Sequence, residues 1–519
     1  MQHEIIKSFL RLSCSLGFLG IFAIAGLSES RSAKPVSGIA TAQAEISHGN
    51  LDSAEQKLWT ILSSEPNQPE ALALLGVIRG RQKRYPEAEA LLRRVLQLDP
   101  KSLPAHRNLA NALIAQNKPD AAITEYVELI KLAPRDNLAR IDLAHLYLAR
   151  GQFADALSSL EAIPPGQFPA DAIPAKAASL LGVGKTAEAA ALIPRAKQSP
   201  AGVAELAEVF LEGNAPQYAL RIVDAEIRRS SRAPALIYYL KGRAQRASGN
   251  SAGAQKSFQN ALSRDPKSVD TLLNIAEIYA SQNQHPESLA LLKRANALQP
   301  HAPETLRPLI IEAMKTGDNN TALNAAHLLA DDNSGSLDDQ YLSAAVMLEG
   351  KDFVTASSIF TKYVQQRPED SKGFLGLGIA ELAQQHTDEA WKALEKSLQI
   401  DPNQPDAEYH LAMVAAAQGD SAEELKHLER AIELQPQHAK ALAALGDQYL
   451  QAGDLEKARS ALERSVAGDP NNYKSQYDLA LALAKTGDAE AAKQHMERSH
   501  ALKAADDAGK NPGATVGHP

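Results

Sequence analysis

Cysteine is almost missing: Cys14 is the single one in 519 residues. A chain so made has no disulfide framework, no cysteine metal site and no thiolate nucleophile in its body, so stability must come from packing. Aromatic residues are also scarce, at 5%, while alanine and leucine are abundant. That balance favours close-packed helices over sheets. An excess of positive charge is lacking too. The formal net charge of −8 argues against a nucleic-acid partner held through phosphates. Neither G-x-S-x-G nor H-E-x-x-H occurs. The fourteen histidines have no metal-ligand spacing, and the nearest pair, His495 and His500, is expected on a solvated helix face. Gly182-Val183-Gly184-Lys185-Thr186 imitates the end of a phosphate-binding loop. Ser179 stands where that motif needs its first glycine, and a helix, not a strand, precedes it. No catalytic, cofactor-binding or metal-binding constellation is expected. At 44% hydrophobic and 22% charged, the chain is nonetheless one that folds.

What is present is a beat. Prolines fall 34 residues apart at Pro66, Pro100 and Pro134, again at Pro266 and Pro300, and then at Pro368, Pro402, Pro436 and Pro470. A period of this length marks a solenoid of helical hairpins. Extending the register gives fourteen slots twelve residues ahead of the closing position, at 54, 88, 122, 156, 189, 219, 254, 288, 322, 356, 390, 424, 458 and 492. Twelve hold alanine, one Ser288 and one Glu424. Small side chains let two helices approach closely, and enlarging such a site typically costs about 1–3 kcal/mol. Glu424 is therefore expected to loosen its hairpin locally and to send its carboxylate to solvent.

Five residues before each slot lies the turn between the helices. Gly49, Gly151, Gly184, Gly249, Gly317, Gly419, Gly453 and Gly487 stand there, with Asn117, Asn214 and Asn283 elsewhere. A tight turn wants a left-handed residue, for which glycine is first choice and asparagine second. In one repeat, residues 439–452 read as the first helix, through Leu442, Leu445, Tyr449 and Leu450, and residues 456–467 as the second, through Ala458, Leu462 and Val466. Asp469-Pro470 closes the unit, because a residue before proline is pushed out of the helical region.

Leu445-Gly446, Tyr449, Gly453-Asp454, Ala458, Leu462 and Pro470 together resemble the tetratricopeptide repeat. Leu75-Gly76, Ala88, Leu92 and Pro100 do so as well, and Leu377-Gly378, Ala390, Leu394 and Pro402 are a third close match. The tryptophan that often opens the family pattern is replaced by residues such as Leu72, Leu272 and Phe374. The resemblance covers about residues 36–504. It implies an all-α, right-handed superhelical solenoid of about fourteen hairpins, of a kind found in exported bacterial multi-repeat proteins. Such proteins bind other proteins or extended peptides along a concave groove lined by the first helices.

The expected organisation has five parts. Residues 1–33 are a signal peptide or N-terminal anchor: Lys7 and Arg11 precede an uncharged run from Leu12 to Ser28, and Ala23-Ile24-Ala25 supplies a cleavage-like site. Cleavage makes the protein periplasmic or secreted; an anchor through residues 10–28 leaves the array outside the cytoplasm. Residues 36–160 form an N-terminal block. Residues 161–235 are irregular TPR-like repeats, with steps of 33, 30 and 35 and prolines at Pro164, Pro165, Pro169, Pro174, Pro194, Pro200, Pro216 and Pro234, and are read either as a hinge or kink between the two blocks or as drift in a tolerated mid-array repeat. Residues 236–504 form a C-terminal block with a capping helix, and residues 505–519 a disordered tail.

Some relatives of this fold clamp a peptide carboxylate with lysine or arginine and asparagines on successive first helices. Arg107 and Asn111 occupy the opening slots of that arrangement, but the following repeat offers Asp142, whose charge would repel a carboxylate. The full clamp is excluded, and Arg107, Asn111 and His145 remain as hydrogen-bonding groups for the groove. Tyr239, Tyr341, Tyr409 and Tyr477 share one slot at steps of 102, 68 and 68. They are candidates for stacking on a ligand, with packing between repeats the better expectation. The functional expectation is a non-enzymatic interaction scaffold in envelope assembly or export, or alternatively a subunit that recruits a catalytic partner in polysaccharide handling.

Overall fold

The structure is a computed structural model, and it describes residues 37–510 apart from 231 and 332–335. The expected signal segment, residues 1–33, and the stretch 511–519 lie outside the described residues. The chain divides into two compact units, Met1–Ile275 and Ala276–Pro519. Among the described residues there are twenty-eight α-helices and no strand.

The first unit pairs its helices in sequence order. They are α1 (Ser37–Ser47) with α2 (Leu51–Ser64), α3 (Pro69–Arg81) with α4 (Tyr85–Leu98), α5 (Leu103–Ala115) with α6 (Pro119–Leu132), and α7 (Asn137–Ala149) with α8 (Phe153–Glu161). Then follow α9 (Ile173–Gly182) with α10 (Thr186–Ala191), α11 (Pro200–Glu212) with α12 (Pro216–Arg229), and α13 (Ala235–Ala247) with α14 (Ser251–Arg264). The division between the units falls inside α15 (Val269–Ser281). The second unit continues with α16 (His285–Leu298), then α17 (Pro303–Thr316) and α18 (Asn319–Asp331), α19 (Leu337–Glu349) and α20 (Phe353–Gln366), α21 (Ser371–Ala383) and α22 (Thr387–Ile400). It ends with α23 (Pro405–Gln418) and α24 (Ser421–Leu434), α25 (Ala439–Ala452) and α26 (Leu455–Gly468), α27 (Tyr473–Thr486) and α28 (Ala489–Lys510). Each unit is an all-α solenoid of antiparallel hairpins. The last helix runs to Lys510, six residues beyond the block boundary read from the sequence.

Every hairpin turns on a left-handed residue. The eight glycines and three asparagines of the turn slot all have positive φ, and so do Lys83 (61°), Lys351 (65°) and Gln385 (66°), which complete the fourteen. The small slots sit where the two helices touch. Ala54, Ala88, Ala122, Ala254, Ala390 and Ala458 are wholly buried. Ser288 is buried as well, and its hydroxyl donates to the Ala276 carbonyl at 2.9 Å, so the polar atom is satisfied inside the contact. Glu424 departs from expectation. It is buried rather than solvent-facing, and one carboxylate oxygen accepts from the Gln448 side chain at 2.5 Å. The neighbouring first helix supplies the partner that a lone carboxylate would have sought in water. Burial pushes the Glu424 pKa up, with the Gln448 amide pulling against it.

The closing Asp-Pro pairs have a second device. The side chains of Asp99, Asp265, Asp401 and Asp469 accept from the backbone amides of Lys101, Lys267, Asn403 and Asn471 at 3.1–3.2 Å, spanning the proline each time. These bridges fix the exit from the second helix into the next hairpin.

Prolines explain the irregular stretch. Pro164 and Pro169 hold extended backbone, Pro165 opens a 3₁₀ turn, and α8 ends after nine residues. Pro194 lies in another 3₁₀ turn that closes α10 after six. Residues 161–235 lie inside the first unit, and one continuous buried cluster runs from Ala144 to Ala244.

Candidate functional site

The expected groove positions lie on first helices. Arg107 on α5 donates to two acids of the next repeat: Asp136, which also caps α7 by accepting from the Ala139 amide at 2.9 Å, and Asp142 at 3.1 Å. The Tyr126 hydroxyl from α6 lies 3.1 Å from Asn111 Oδ1 and 3.3 Å from Asp142 Oδ2. Burial pushes the Asp142 carboxyl up, while the Arg107 charge and the Tyr126 hydroxyl pull it down. Arg107 and Asn111 are thus brought into one network with Asp142, the residue that breaks the clamp. His145 follows three residues later on α7, and burial pushes its imidazole down to about 4, so it is neutral at physiological pH.

Arg107 and Tyr239 occupy the same slot of their repeats. On α13, Tyr239 is half-buried, its ring 5.8 Å from Phe258 of α14. The Asn274 amide lies 3.5 Å from its hydroxyl. The Arg243 guanidinium is 5.9 Å from the Tyr239 ring centre and donates at 2.9 Å to both Glu208 oxygens of α11. The bonded pairs Arg107–Asp142, Glu208–Arg243 and Tyr239–Asn274 are each 35 residues apart. Arg107–Asp142 and Tyr239–Asn274 thus link neighbouring first helices with an offset of one residue from the repeat, whereas Glu208 and Arg243, across the step of 35, stand in the same slot. Sequence reasoning missed Glu208 and Arg243; their opposite charges at 35 residues were the available signal.

In the second unit the same slot holds Arg307, Tyr341, Tyr409 and Tyr477. Arg307 forks onto Asp339, with Nη2 at 2.7 Å. The Tyr341 ring lies 5.9 Å from Phe360 and 5.5 Å from Tyr363, inside its own hairpin rather than against the next. Tyr409 lies 5.5 Å from His438 of the following repeat, which in turn bonds Asp406 at 3.0 Å. Tyr477 differs from the other three, being 42% exposed. Ile311, further along α17, is 44% exposed. The resulting face is polar but internally paired, with single apolar groups left open.

A different pairing joins the two helices within hairpins. His106 to Glu125 at 2.7 Å, Glu408 to His427 at 2.6 Å and Gln476 to His495 at 2.7 Å are each separated by 19 residues. They stand where other repeats carry Leu72, Leu272 or Phe374. His495 is therefore half-buried and bonded within its hairpin, not free on a solvated face; His500 is exposed. For His106, burial opposes the charge, but the Glu125 bond and the Pro100 carbonyl outweigh it and raise the pKa.

Gly184, from the imitation phosphate loop, is a hairpin turn residue with φ of +81°, and Lys185 pairs with Glu188 at 3.3 Å. Among the described residues, no three His, Cys, Asp or Glu side chains form a group able to hold a metal, and no helix is long and apolar enough to cross a membrane.

Family models described as Tetratricopeptide repeat match residues 39–102, 239–303 and 375–439, residues 81–138 and 449–510, residues 427–460, and residues 137–162. The chain is similar to Cellulose synthase operon protein C of Xanthomonas axonopodis pv. citri (strain 306), at 24% identity over 285 residues, covering 53% of this chain and 17% of that protein. It is also similar to the protein of the same name from Pseudomonas fluorescens (strain SBW25), at 25% over 276 residues, covering 50% of this chain and 20% of that one. The chain thus spans about a fifth of the length of these relatives. Among solved structures, it is similar to YrrB, described as a TPR protein with an unusual peptide-binding site (TM-score 0.33, 20% identity, 37% of this chain and 98% of that one).

Proposed function

The chain belongs to the tetratricopeptide repeat family, and from that premise we propose that it is a non-enzymatic scaffold holding extended segments of other proteins on the face of its first helices, outside the cytoplasm, in envelope assembly or export. The fold class supports an interaction scaffold. The observation that carries the surface is the contrast on the first helices: Arg107, Arg243 and Arg307 are paired to acids of neighbouring repeats, while Ile311 and Tyr477 stand open. Paired charges are held in fixed positions and cost less to cover than lone ones, and isolated exposed apolar groups supply the anchoring area.

The test uses a peptide array probed with the purified full chain. Ile311→Asp and Tyr477→Asp should each lose binding to the peptides captured by the parent. Val354→Asp should not, although Val354 is 70% exposed, because it lies on a second helix. Equal loss from Val354→Asp, or substrate turnover by the purified chain, would overturn the reading. Export is tested separately: a chain lacking residues 1–33 that still reaches the envelope contradicts it.

The similarity over half the chain to two proteins named for a cellulose synthase operon favours a second reading, a subunit that recruits a polysaccharide-handling enzyme. Recovery of a glycan synthase or transferase with the tagged chain supports that alternative; recovery of secretion components supports the first.

A further inference from the structure

In a chain of net charge −8, α12 and the loop after it carry Arg221, Arg228, Arg229 and Arg232. The two acids of α12 are already engaged. Asp224 pairs with Lys241 at 2.8 Å, and Glu226 pairs with Arg229 at 2.5 Å. Arg229 also donates to the Gln198 carbonyl at 2.7 Å. Neither acid pairs with Arg232.

Arg232 lies on an open cleft of about 620 Å³ in the first unit, lined by Arg232, Ala233, Pro234, Ala235, Ser263 and Arg264. No carboxylate lines it. Arg264, across the cleft, is held in place: its guanidinium carbon lies 4.0 Å from the Tyr238 ring centre, and Nη1 donates to the Asn260 carbonyl at 2.8 Å. Asp265, next in sequence, spends Oδ1 on the Lys267 amide at 3.2 Å. A guanidinium stacked on an aromatic face has its plane fixed and keeps its remaining N–H groups for an oxygen pair. Two cations sharing one cleft without a counter-charge repel each other, and an anion between them removes that repulsion.

We propose that Arg232 and Arg264 form an oxyanion-binding cleft that takes a phosphoryl or carboxylate group carried by a partner. Arginine forks match both groups bidentately. The volume exceeds a lone ion, so Ala233, Pro234 and Ala235 would meet the residue bearing it. The cleft lies where a second helix passes into the next hairpin, not on the first-helix face, so it is independent of the groove reading.

Isothermal titration of the full chain with inorganic phosphate, and separately with hexaglutamate, tests this. Saturable binding of either is expected, weakened tenfold or more by Arg232→Gln and by Arg264→Gln. Arg221→Gln removes the same charge outside the cleft and should leave binding unchanged. Tyr238→Leu keeps both charges, removes the stacking platform and should weaken binding several-fold. Circular dichroism verifies that each variant keeps its helices. Saturation by phosphate alone assigns the site to phosphoryl groups, and saturation by hexaglutamate alone to acidic segments. Failure of both to saturate, equal weakening by Arg221→Gln, or no effect of Arg264→Gln would refute the proposal.

Discussion

Gly446 and Gly453 lie in one repeat and should resist substitution for opposite reasons. Gly446 faces Leu462 across the hairpin. A Cβ there would sit 2.4 Å from Leu462 Cγ and 2.6 Å from Cδ2. Carbon atoms pack at about 3.5–4.0 Å, so Leu462 must retreat by more than about 1 Å. Leu462 is fully buried and has nowhere to go. Overpacking of this kind costs about 1–3 kcal/mol, against about 1 kcal/mol gained because alanine is the better helix former. Gly446→Ala should therefore destabilise the hairpin by up to about 2 kcal/mol. Gly453 has open space around its missing Cβ but a φ of +79°. Gly453→Ala pays about 1–2 kcal/mol of left-handed strain, less about 0.5–1 kcal/mol of chain entropy returned by losing glycine. The two mechanisms separate in a Leu462→Ala background. There the steric clash at Gly446 is gone, so Gly446→Ala should become neutral or stabilising, while Gly453→Ala keeps its cost. Urea denaturation followed by circular dichroism, with amide hydrogen exchange of α25 and α26, reads both effects. A stabilising Gly446→Ala in the parent chain, or an unchanged cost in the Leu462→Ala background, would refute the reasoning.

Lys83→Gly, Lys351→Gly and Gln385→Gly should each stabilise the chain by about 0.5–1 kcal/mol, because each releases a side chain from the left-handed region; melting curves of the single variants check this. Glu424→Gln should be more stable than the parent at pH 7. A carboxyl whose pKa is raised by burial holds its proton more tightly folded than unfolded, so the parent loses stability as pH rises above the carboxylate range. The gain should vanish in melts below about pH 4.5, the ordinary value for glutamate. His106 follows the same sign at higher pH. Its folded pKa is raised above 6.5, so its contribution is full below that value and lost as pH rises through the folded pKa. Melting temperatures of His106→Gln and parent should differ most at pH 5.5–6 and converge in alkali.

The hairpin turns show where residue type stops being informative. Glycine and asparagine announce eleven of them, because those residues tolerate positive φ. Lys83, Lys351 and Gln385 carry no such mark; their neighbours in register impose the conformation on them. Glu424 looked like an interruption with its charge in water, because nothing in its own repeat accepts it. Gln448, twenty-four residues on, becomes its partner only when the next first helix docks. The candidate groove residues were legible as slots but not as partners. Arg107 seemed a free donor until Asp136 and Asp142 closed on it.

A 34-residue period with a small residue, a left-handed turn and a closing proline determines an all-α array of hairpins by itself, since local backbone preference and close helix contact act within one repeat. The one-residue offset that pairs Arg107 with Asp142 and Tyr239 with Asn274 was decided by the tertiary structure alone. So was the turning of Tyr239 and Tyr341 onto Phe258 and Phe360 while Tyr477 stays open. Those outcomes depend on the register in which one hairpin stacks on the next and on which side chains it covers, and a repeat pattern records spacing along the chain, not contact across it.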